Sequence, residues 1–282
     1  MGDLIKSDRI KELLEIASQS HRHHSLRAEL RSPFDRFGIQ FLQIHNTLLL
    51  AAQGVDRAAS RATFLNEVDA RLAQAGNAET TSSLMEALGS RTEQLRIAAE
   101  FAVSEQGTGY RTIHSQAIVA LWTCLEACVQ DAIVSWLLLH PDHLQLDPVQ
   151  KAFKRISIRF QHVQHEQRIA NLVEDLLQGN GPPFERFDKA LSIFSLSFDV
   201  DESVKMTLHE MQSVRNAIVH RLGIANEWIV RDHLNLELHI GDSLSVSQIV
   251  YIAYKIAVEA YIKGLVVRMS QLEPDVIPIT RN

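Results

Sequence analysis

Cysteine and long apolar runs are scarce in this sequence. Its 282 residues include two cysteines, and no CxxC pair or ladder of cysteine and histidine occurs, which excludes zinc fingers and thioredoxin-like redox sites. The longest apolar runs, such as 133–139, are far shorter than the roughly 18 residues of a membrane span. No apolar signal segment stands at the N-terminus, so we expect a cytoplasmic protein with no membrane association.

The two cysteines, Cys124 and Cys128, lie four residues apart in a stretch with helical apolar spacing. A helix would place both on one face, where a disulfide between them would be strained. We therefore interpret them as core residues of a protein in reducing surroundings.

Excess positive charge is also lacking, since the formal net charge is −6. A polyanion would therefore have to bind a local patch rather than the whole surface. The most basic window runs from 151 to 168 and has a single acid, Glu166. Its cations could hold RNA phosphates, although a run of charge can equally form a solvated helix face. The candidate RNA-binding residues are Lys151, Lys154, Arg155 and Arg159.

Apolar residues recur at threes and fours along nearly the whole chain, which predicts an all-α fold. The strongest pattern predicts a helix over 115–140 with Ile118, Leu121, Leu125, Cys128, Ala132 and Trp136 inward. Ser32 and Pro33 predict a helix start, and Gly223 predicts a helix end. The other predicted helices are a first segment with Ile10, Leu13, Leu14 and Ala17 inward, then 33–53, 56–75, 81–105, 149–177, 184–198, 202–222 and 246–269, the last with Ile249, Ile252, Ile256, Ala260 and Val267 inward.

One segment departs from helical spacing. Apolar side chains alternate strictly with polar ones at Leu234, Leu236, Leu238 and Ile240, which is the period of a β-strand. Together with 228–231, this segment predicts a small β-hairpin inserted after the helix over 202–222.

The predicted helix over 202–222 carries a group suited to RNA cleavage without a metal. Such cleavage needs a base near the ribose 2′-hydroxyl, an acid for the leaving oxygen and positive charge at the phosphate. Arg215 could stabilise the phosphate, His220 could transfer the proton, and Asn216 could orient either side chain. His209 and Ser213 extend the face of Asn216 and His220 into a polar stripe.

The spacing of Arg215 and His220 limits what one helix can do. Five residues correspond to about 140° of rotation around a helix, so the two side chains leave the helix in different directions. A long arginine side chain or a second protomer has to complete the site, which favours a dimer.

These residues are similar to the signature of HEPN-domain ribonucleases of the toxin and antiviral-defence type, in which Arg is followed after four to six residues by His, often with Asn after the Arg. The chain has RNAIVH at 215–220, an earlier long helix ALWTCLEACVQDAIVSWL at 120–137, and a closing helix after an insertion. The resemblance implies a HEPN-like bundle at 84–271, preceded by a helical region at 1–83 that senses a signal, binds a partner or supports the dimer, and followed by a tail at 272–282.

The resemblance further implies a metal-independent endoribonuclease that needs no cofactor and leaves a 2′,3′-cyclic phosphate. Motif residues of two subunits would meet in a homodimer or higher homo-oligomer. RNA would be the substrate, and an antitoxin or another defence-system protein is an implied partner. Within this chain the motif roles carry over to Arg215, Asn216 and His220 only.

Several alternatives stay open on the sequence alone. Glu126 is a lone carboxylate in the apolar helix, and it could orient Arg215 or form an ion pair that serves the fold. The motif spacing also fits Arg155 with His162 and Arg159 with His165, but both pairs lack the flanking Asn.

Two other classes of protein compete with a ribonuclease. A non-catalytic HEPN module would keep the fold to dimerise or to bind a protein or nucleotide, and an unrelated helical scaffold would oligomerise through its long helices. A metal site is not expected at His21, His23 and His24, because no carboxylate or cysteine stands at ligand spacing.

Overall fold

The structure, a computed structural model, describes residues 26–74, 78–178, 183–232 and 238–273. Its regular elements there are helices, and an isolated antiparallel bridge joins Ile224 and Ser243. The predicted all-α fold is therefore confirmed. The helices are α1 (Ala28–Gln74), α2 (Ala78–Gly107), α3 (Arg111–Leu139), a 3-10 turn (Pro141–Gln145), α4 (Asp147–Arg159), α5 (His165–Leu177), α6 (Pro183–Ile193), α7 (Glu202–Arg221), α8 (Glu227–Asp232) and α9 (Gln248–Leu272).

The chain groups into two compact units. The first takes in the described residues within 1–43, 118–244 and 249–282, and the second takes in those within 44–117 and 245–248. The domain boundary predicted between residues 83 and 84 lies inside α2, and this grouping places its divisions elsewhere. The candidate site residues all belong to the first unit.

Helix α3 forms the centre of the first unit. All six positions predicted to point inward are buried, including Leu125 and Ala132, which have no exposed surface. The Sγ atoms of Cys124 and Cys128 lie 3.9 Å from backbone carbonyls of Phe37 and Pro33 in α1. Both thiols are free and buried, so the interpretation as core residues is confirmed.

Aromatic packing joins α6 and α9 in the first unit. The ring centroid of Tyr261 in α9 lies 5.4 Å from the ring centroid of Phe184 and 5.1 Å from that of Phe198. The prediction of the inward face of α9 is partly wrong. Ile249 is exposed, whereas Tyr254 and Tyr261 are buried. In a helix this apolar, several faces offer hydrophobic side chains, and periodicity alone does not select one.

Among its described residues, the second unit has few large buried side chains. Small residues of α1 and α2 are buried there, namely Ala59, Ala99 and Ala102. The Asp56 carboxylate of α1 accepts hydrogen bonds from Gln106 Nε2 at 2.6 Å and from the Tyr110 hydroxyl. These two bonds lower the pKa of the Asp56 carboxyl and stabilise its charged form.

Helix α1 begins earlier than predicted. It starts at Ala28 and includes Pro33, so the predicted start with a cap at Ser32 is wrong. A proline at this position removes one hydrogen bond within the helix. Leu30 has no exposed surface and Pro33 is buried, and this packing compensates for the lost bond.

The single helix predicted over 149–177 is also wrong. Helix α4 ends at Arg159 and α5 begins at His165, although no glycine or proline marks the break. The turn at 160–164 allows the two helices to pack on each other, and Ile156 of α4 and Leu172 of α5 are both buried.

The predicted β-hairpin is not supported. Its first segment, 228–231, lies in α8, where the Asn226 side chain accepts a hydrogen bond from the backbone N–H of Ile229 at 3.1 Å. This side chain therefore caps the helix. In the second segment, residues 233–237 lie outside the described part of the chain, and Leu238 packs against a small apolar cluster.

Other predictions also fall outside the described residues. They are the first helical segment with Ile10 and Leu13, the histidines His21, His23 and His24, and most of the tail at 272–282.

Among the described helices, α3 has the length and composition of a membrane-spanning helix. About half of its most apolar stretch is buried within the protein. A core helix of a soluble protein meets the same test of length and composition, so this property does not separate the two classes.

Candidate active site

The motif lies on α7, whose ends are defined by local interactions. At its start, Asp201 Oδ1 accepts hydrogen bonds from the backbone N–H and the hydroxyl of Ser203, at 2.9 and 2.8 Å. At its end, Leu222 adopts a left-handed conformation with φ of 54°, and the N–H of Gly223 donates to the carbonyl of Ala217. These interactions place His220 in the last turn, as the spacing predicts.

Arg215 is held on the flank of α7 by two partners. Its side chain is 22% exposed, and its Nη2 lies 3.8 Å from Oε2 of Glu126 on α3. Its Nη1 donates a hydrogen bond to Oδ1 of Asn216 at 3.1 Å. The Nε atom is buried and makes no hydrogen bond to a described residue. The two contacts therefore direct the guanidinium, and its remaining terminal N–H groups keep donor capacity for an incoming oxyanion.

His220 occupies a different environment from Arg215. It is exposed in the last turn of α7, next to exposed Arg221. The polar stripe leads up to it, with Asn216, Ser213 and His209 half-buried and the Ser213 hydroxyl donating to the His209 carbonyl at 3.1 Å. One protomer thus presents an oriented arginine and an accessible imidazole on different sides of one helix.

The structure brings Glu126 to Arg215, as one of the two sequence hypotheses for this residue requires. Both side chains are partly accessible, Glu126 at 36%. The pair is therefore neither a buried ion pair of the core nor a fully solvated surface pair. Such a partner can orient the guanidinium while leaving it open to a ligand.

A buried acid on the same helix was missed in the sequence. Glu210 is 4% exposed, and its Oε1 accepts a hydrogen bond from the Tyr254 hydroxyl of α9 at 2.8 Å. Its spacing of four and seven residues from Val214 and Ala217 is the signal that places it on the buried face. This bond anchors the motif helix to α9.

The basic residues of α4 are exposed, but part of their charge is already paired. Lys151 Nζ lies 3.1 Å from the Asp147 carboxylate, and Arg155 forms an ion pair with Asp175 of α5. The Arg159 guanidinium lies 5.3 Å from the centre of the Phe160 ring. Lys154 is exposed and forms no ion pair with a described residue, so it offers the least compensated charge for RNA.

The competing Arg and His pairs are separated by the break between α4 and α5. Arg155 and Arg159 belong to α4, His162 lies in the turn, and His165 begins α5. Neither pair shares a helix in the way that Arg215 and His220 do. Within the described residues, no group of three or more histidine, cysteine, aspartate or glutamate side chains could hold a metal ion.

Comparison of the chain with family models, with curated proteins and with solved structures finds no match in any of the three.

Proposed function

We propose that the protein is an endoribonuclease of HEPN type that cleaves RNA by attack of the ribose 2′-hydroxyl. The observation that carries the proposal is the arrangement on α7, where Glu126 and Asn216 orient Arg215 while His220 stays accessible in the last turn. An oriented guanidinium and an accessible imidazole are the two groups that this reaction needs.

The proposed reaction uses the groups as follows. His220 removes the proton of the 2′-hydroxyl, and O2′ attacks the phosphorus. Arg215 donates hydrogen bonds to the phosphoryl oxygens as negative charge develops on them. The bond from phosphorus to O5′ breaks, an imidazolium protonates O5′, and the products end in a 2′,3′-cyclic phosphate and a 5′-hydroxyl.

A homodimer would supply the second imidazole for the leaving group, and it forms part of the proposal. The end of α7 carries exposed apolar side chains, with Leu222 93% exposed and Val219 44% exposed. Unpartnered apolar side chains beside a site favour association through that surface. We further propose that the enzyme works in the cytoplasm as a toxin or antiviral effector under the control of an antitoxin or another defence-system protein.

The test is cleavage of a mixed RNA pool in EDTA by the full-length protein and its variants. Wild type should give fragments with cyclic-phosphate ends. Arg215→Ala should lose about a hundredfold or more of the activity, and His220→Ala about a hundredfold to ten thousandfold. Lys205→Ala is the matched control, because Lys205 lies on the same helix as the motif and forms an ion pair with its neighbour Glu202, at 3.7 Å.

Two results would count against the enzyme. Full activity of the His220→Ala protein would exclude the proposed chemistry. RNA binding without cleavage by wild type would favour the alternative, a non-catalytic module that retains the motif for structural reasons.

A further inference from the structure

Helix α8 is attached directly to the motif helix. Its buried residue Ile229 packs in a cluster with Ala217, Ala225 and Leu244. Ala217 stands between Asn216 and His220 in the motif. The cluster therefore holds α8 against the last turns of α7, in which His220 lies.

The outer face of α8 carries Trp228, which is much more exposed than the other two tryptophans. Trp228 is 61% exposed, whereas Trp122 and Trp136 are 0% and 4% exposed. A large aromatic surface left in water is unfavourable by the hydrophobic effect. A ligand with a flat apolar face would remove this surface from water.

The environment of the indole selects the chemistry of that ligand. The Arg231 guanidinium lies 4.4 Å from the centre of the Trp228 ring, which is a cation–π contact. Arg221 and His220 are exposed at the end of α7, and Glu227 is an exposed acid in α8. An aromatic ring bordered by arginine is suited to a base stacked on the ring and a phosphate near the guanidinium.

We propose that Trp228 and Arg231 form a base-stacking subsite for single-stranded RNA next to the His220 end of α7. The subsite rests on the proposed ribonuclease function and adds the preference for an unpaired strand. The indole ring of Trp228 would stack on one base, whichever of the four bases it is, and Arg231 would contact the adjoining phosphate.

A second copy of this chain is the rival occupant of the outer face of α8, because the dimer surface proposed at Leu222 could extend to this face and Ile240 is also exposed, at 68%. The cation on the ring favours a polyanion that has π faces over an apolar protein surface. The two occupants are separated by the experiment below.

The experiment is a fluorescence titration of the full-length protein with 2′-O-methyl oligoadenylate, which lacks the attacking hydroxyl and cannot be cleaved by the proposed reaction. An abasic oligonucleotide with the same backbone is the ligand control. Since the other tryptophans are buried, the fluorescence that responds to the ligand reports Trp228. We expect quenching by oligoadenylate and not by the abasic strand.

Variants separate stacking from folding, and their affinities for both strands are measured by isothermal titration calorimetry, because substitution of Trp228 removes the fluorescent reporter. Trp228→Ala should weaken the Kd for oligoadenylate roughly tenfold, and Trp228→Phe should retain most of the affinity because phenylalanine keeps an aromatic face. Arg231→Gln should weaken binding of both strands. Far-ultraviolet circular dichroism should show unchanged helix content, as expected for an exposed position.

The outcomes distinguish this subsite from the ribonuclease itself. If wild type cleaves RNA but Trp228→Ala binds oligoadenylate as tightly as wild type, the subsite is overturned and the ribonuclease stands. If Trp228-dependent binding occurs in a protein that cleaves no RNA, the subsite stands and the ribonuclease fails. A Trp228→Ala protein that dissociates into monomers in sedimentation without loss of RNA affinity would overturn the subsite and show an interface between copies.

Discussion

The guanidinium of Arg215 on α7 lies 3.8 Å from the carboxylate of Glu126 on α3. This contact joins the motif to the central helix of its unit and sets the direction of the arginine. Glu126 is thus a positioning residue in the proposed enzyme, because it acts on RNA only through Arg215.

Glu126→Gln should lower kcat for RNA cleavage by between about tenfold and a hundredfold, because a misplaced guanidinium stabilises the transition state less well. KM should change little. Asp131→Asn is the matched control, since Asp131 lies on the same helix and pairs with Arg36 at 2.9 Å. A lower Tm with unchanged kcat in Glu126→Gln would show that the ion pair serves only the fold.

Lys154→Ala should reduce the salt dependence of RNA binding more than Arg155→Ala does. The charge of Lys154 is not paired with a described residue, whereas Arg155 is paired with Asp175. Loss of one phosphate contact lowers the slope of log affinity against log salt by about 0.7 for a single strand. The measurement is titration with 2′-O-methyl oligoadenylate over a range of salt. Equal and unchanged slopes would show that α4 is a solvated face.

The two thiols should resist modification in the folded protein. Burial raises the pKa of Cys124 from 9.0 to about 11 and raises the pKa of Cys128 further. At Cys124 this higher pKa leaves about a hundredfold less thiolate than an ordinary cysteine has at the same pH. A thiol-reactive disulfide reagent should therefore label the native protein slowly and both cysteines rapidly in urea. Fast native labelling would contradict the buried positions.

Two glycine substitutions should have opposite effects on stability. An added Cβ at Gly264 in α9 would lie 2.5 Å from Cε2 of Phe198, whose ring packs on Tyr261. Gly264→Ala should therefore reduce the free energy of unfolding by about 1–3 kcal/mol. Gly38 in α1 has no atom within 4 Å of the added Cβ, and Gly38→Ala should increase stability by about 0.5–1 kcal/mol. Urea unfolding measures both, and an equal change in the two variants would contradict the contact at Gly264.

The stability of the second unit should fall at mildly acidic pH because of His114. Burial lowers the pKa of His114 below its ordinary value of 6.5, although backbone hydrogen bonds with Gly109 and Val246 and the charge of Glu105 oppose this. The unfolded chain then binds a proton where the folded protein does not, so stability rises with pH in that window. The contribution of neutral His114 to stability is complete above about pH 6.5, and it is lost as the pH falls towards the pKa of His114 in the folded protein.

His114→Gln removes this titration. The midpoint of urea unfolding should depend less on pH in the variant than in wild type between about pH 6.5 and the lower folded pKa. Parallel curves for the two proteins would show that His114 does not contribute.

The sequence by itself determined the helical class, the buried face of α3 and the position of the motif near the end of α7. These features depend on local periodicity and on end signals such as Gly223, which act within a few residues of the chain. The same reasoning placed Arg215 and His220 on different sides of one helix, because the rotation per residue is a property of the helix alone.

Only the tertiary structure decided what each helix packs against. The contact of Glu126 with Arg215 joins residues far apart in the chain, and the sequence left it as one of two hypotheses. Tertiary packing also allows α1 to continue through Pro33 and separates α4 from α5 where the sequence has no glycine or proline. Residues 228–231 are helical rather than extended, and Trp228 is exposed there. Burial of apolar surface between distant segments outweighs local preference at these positions, and no pattern within a short window records that balance.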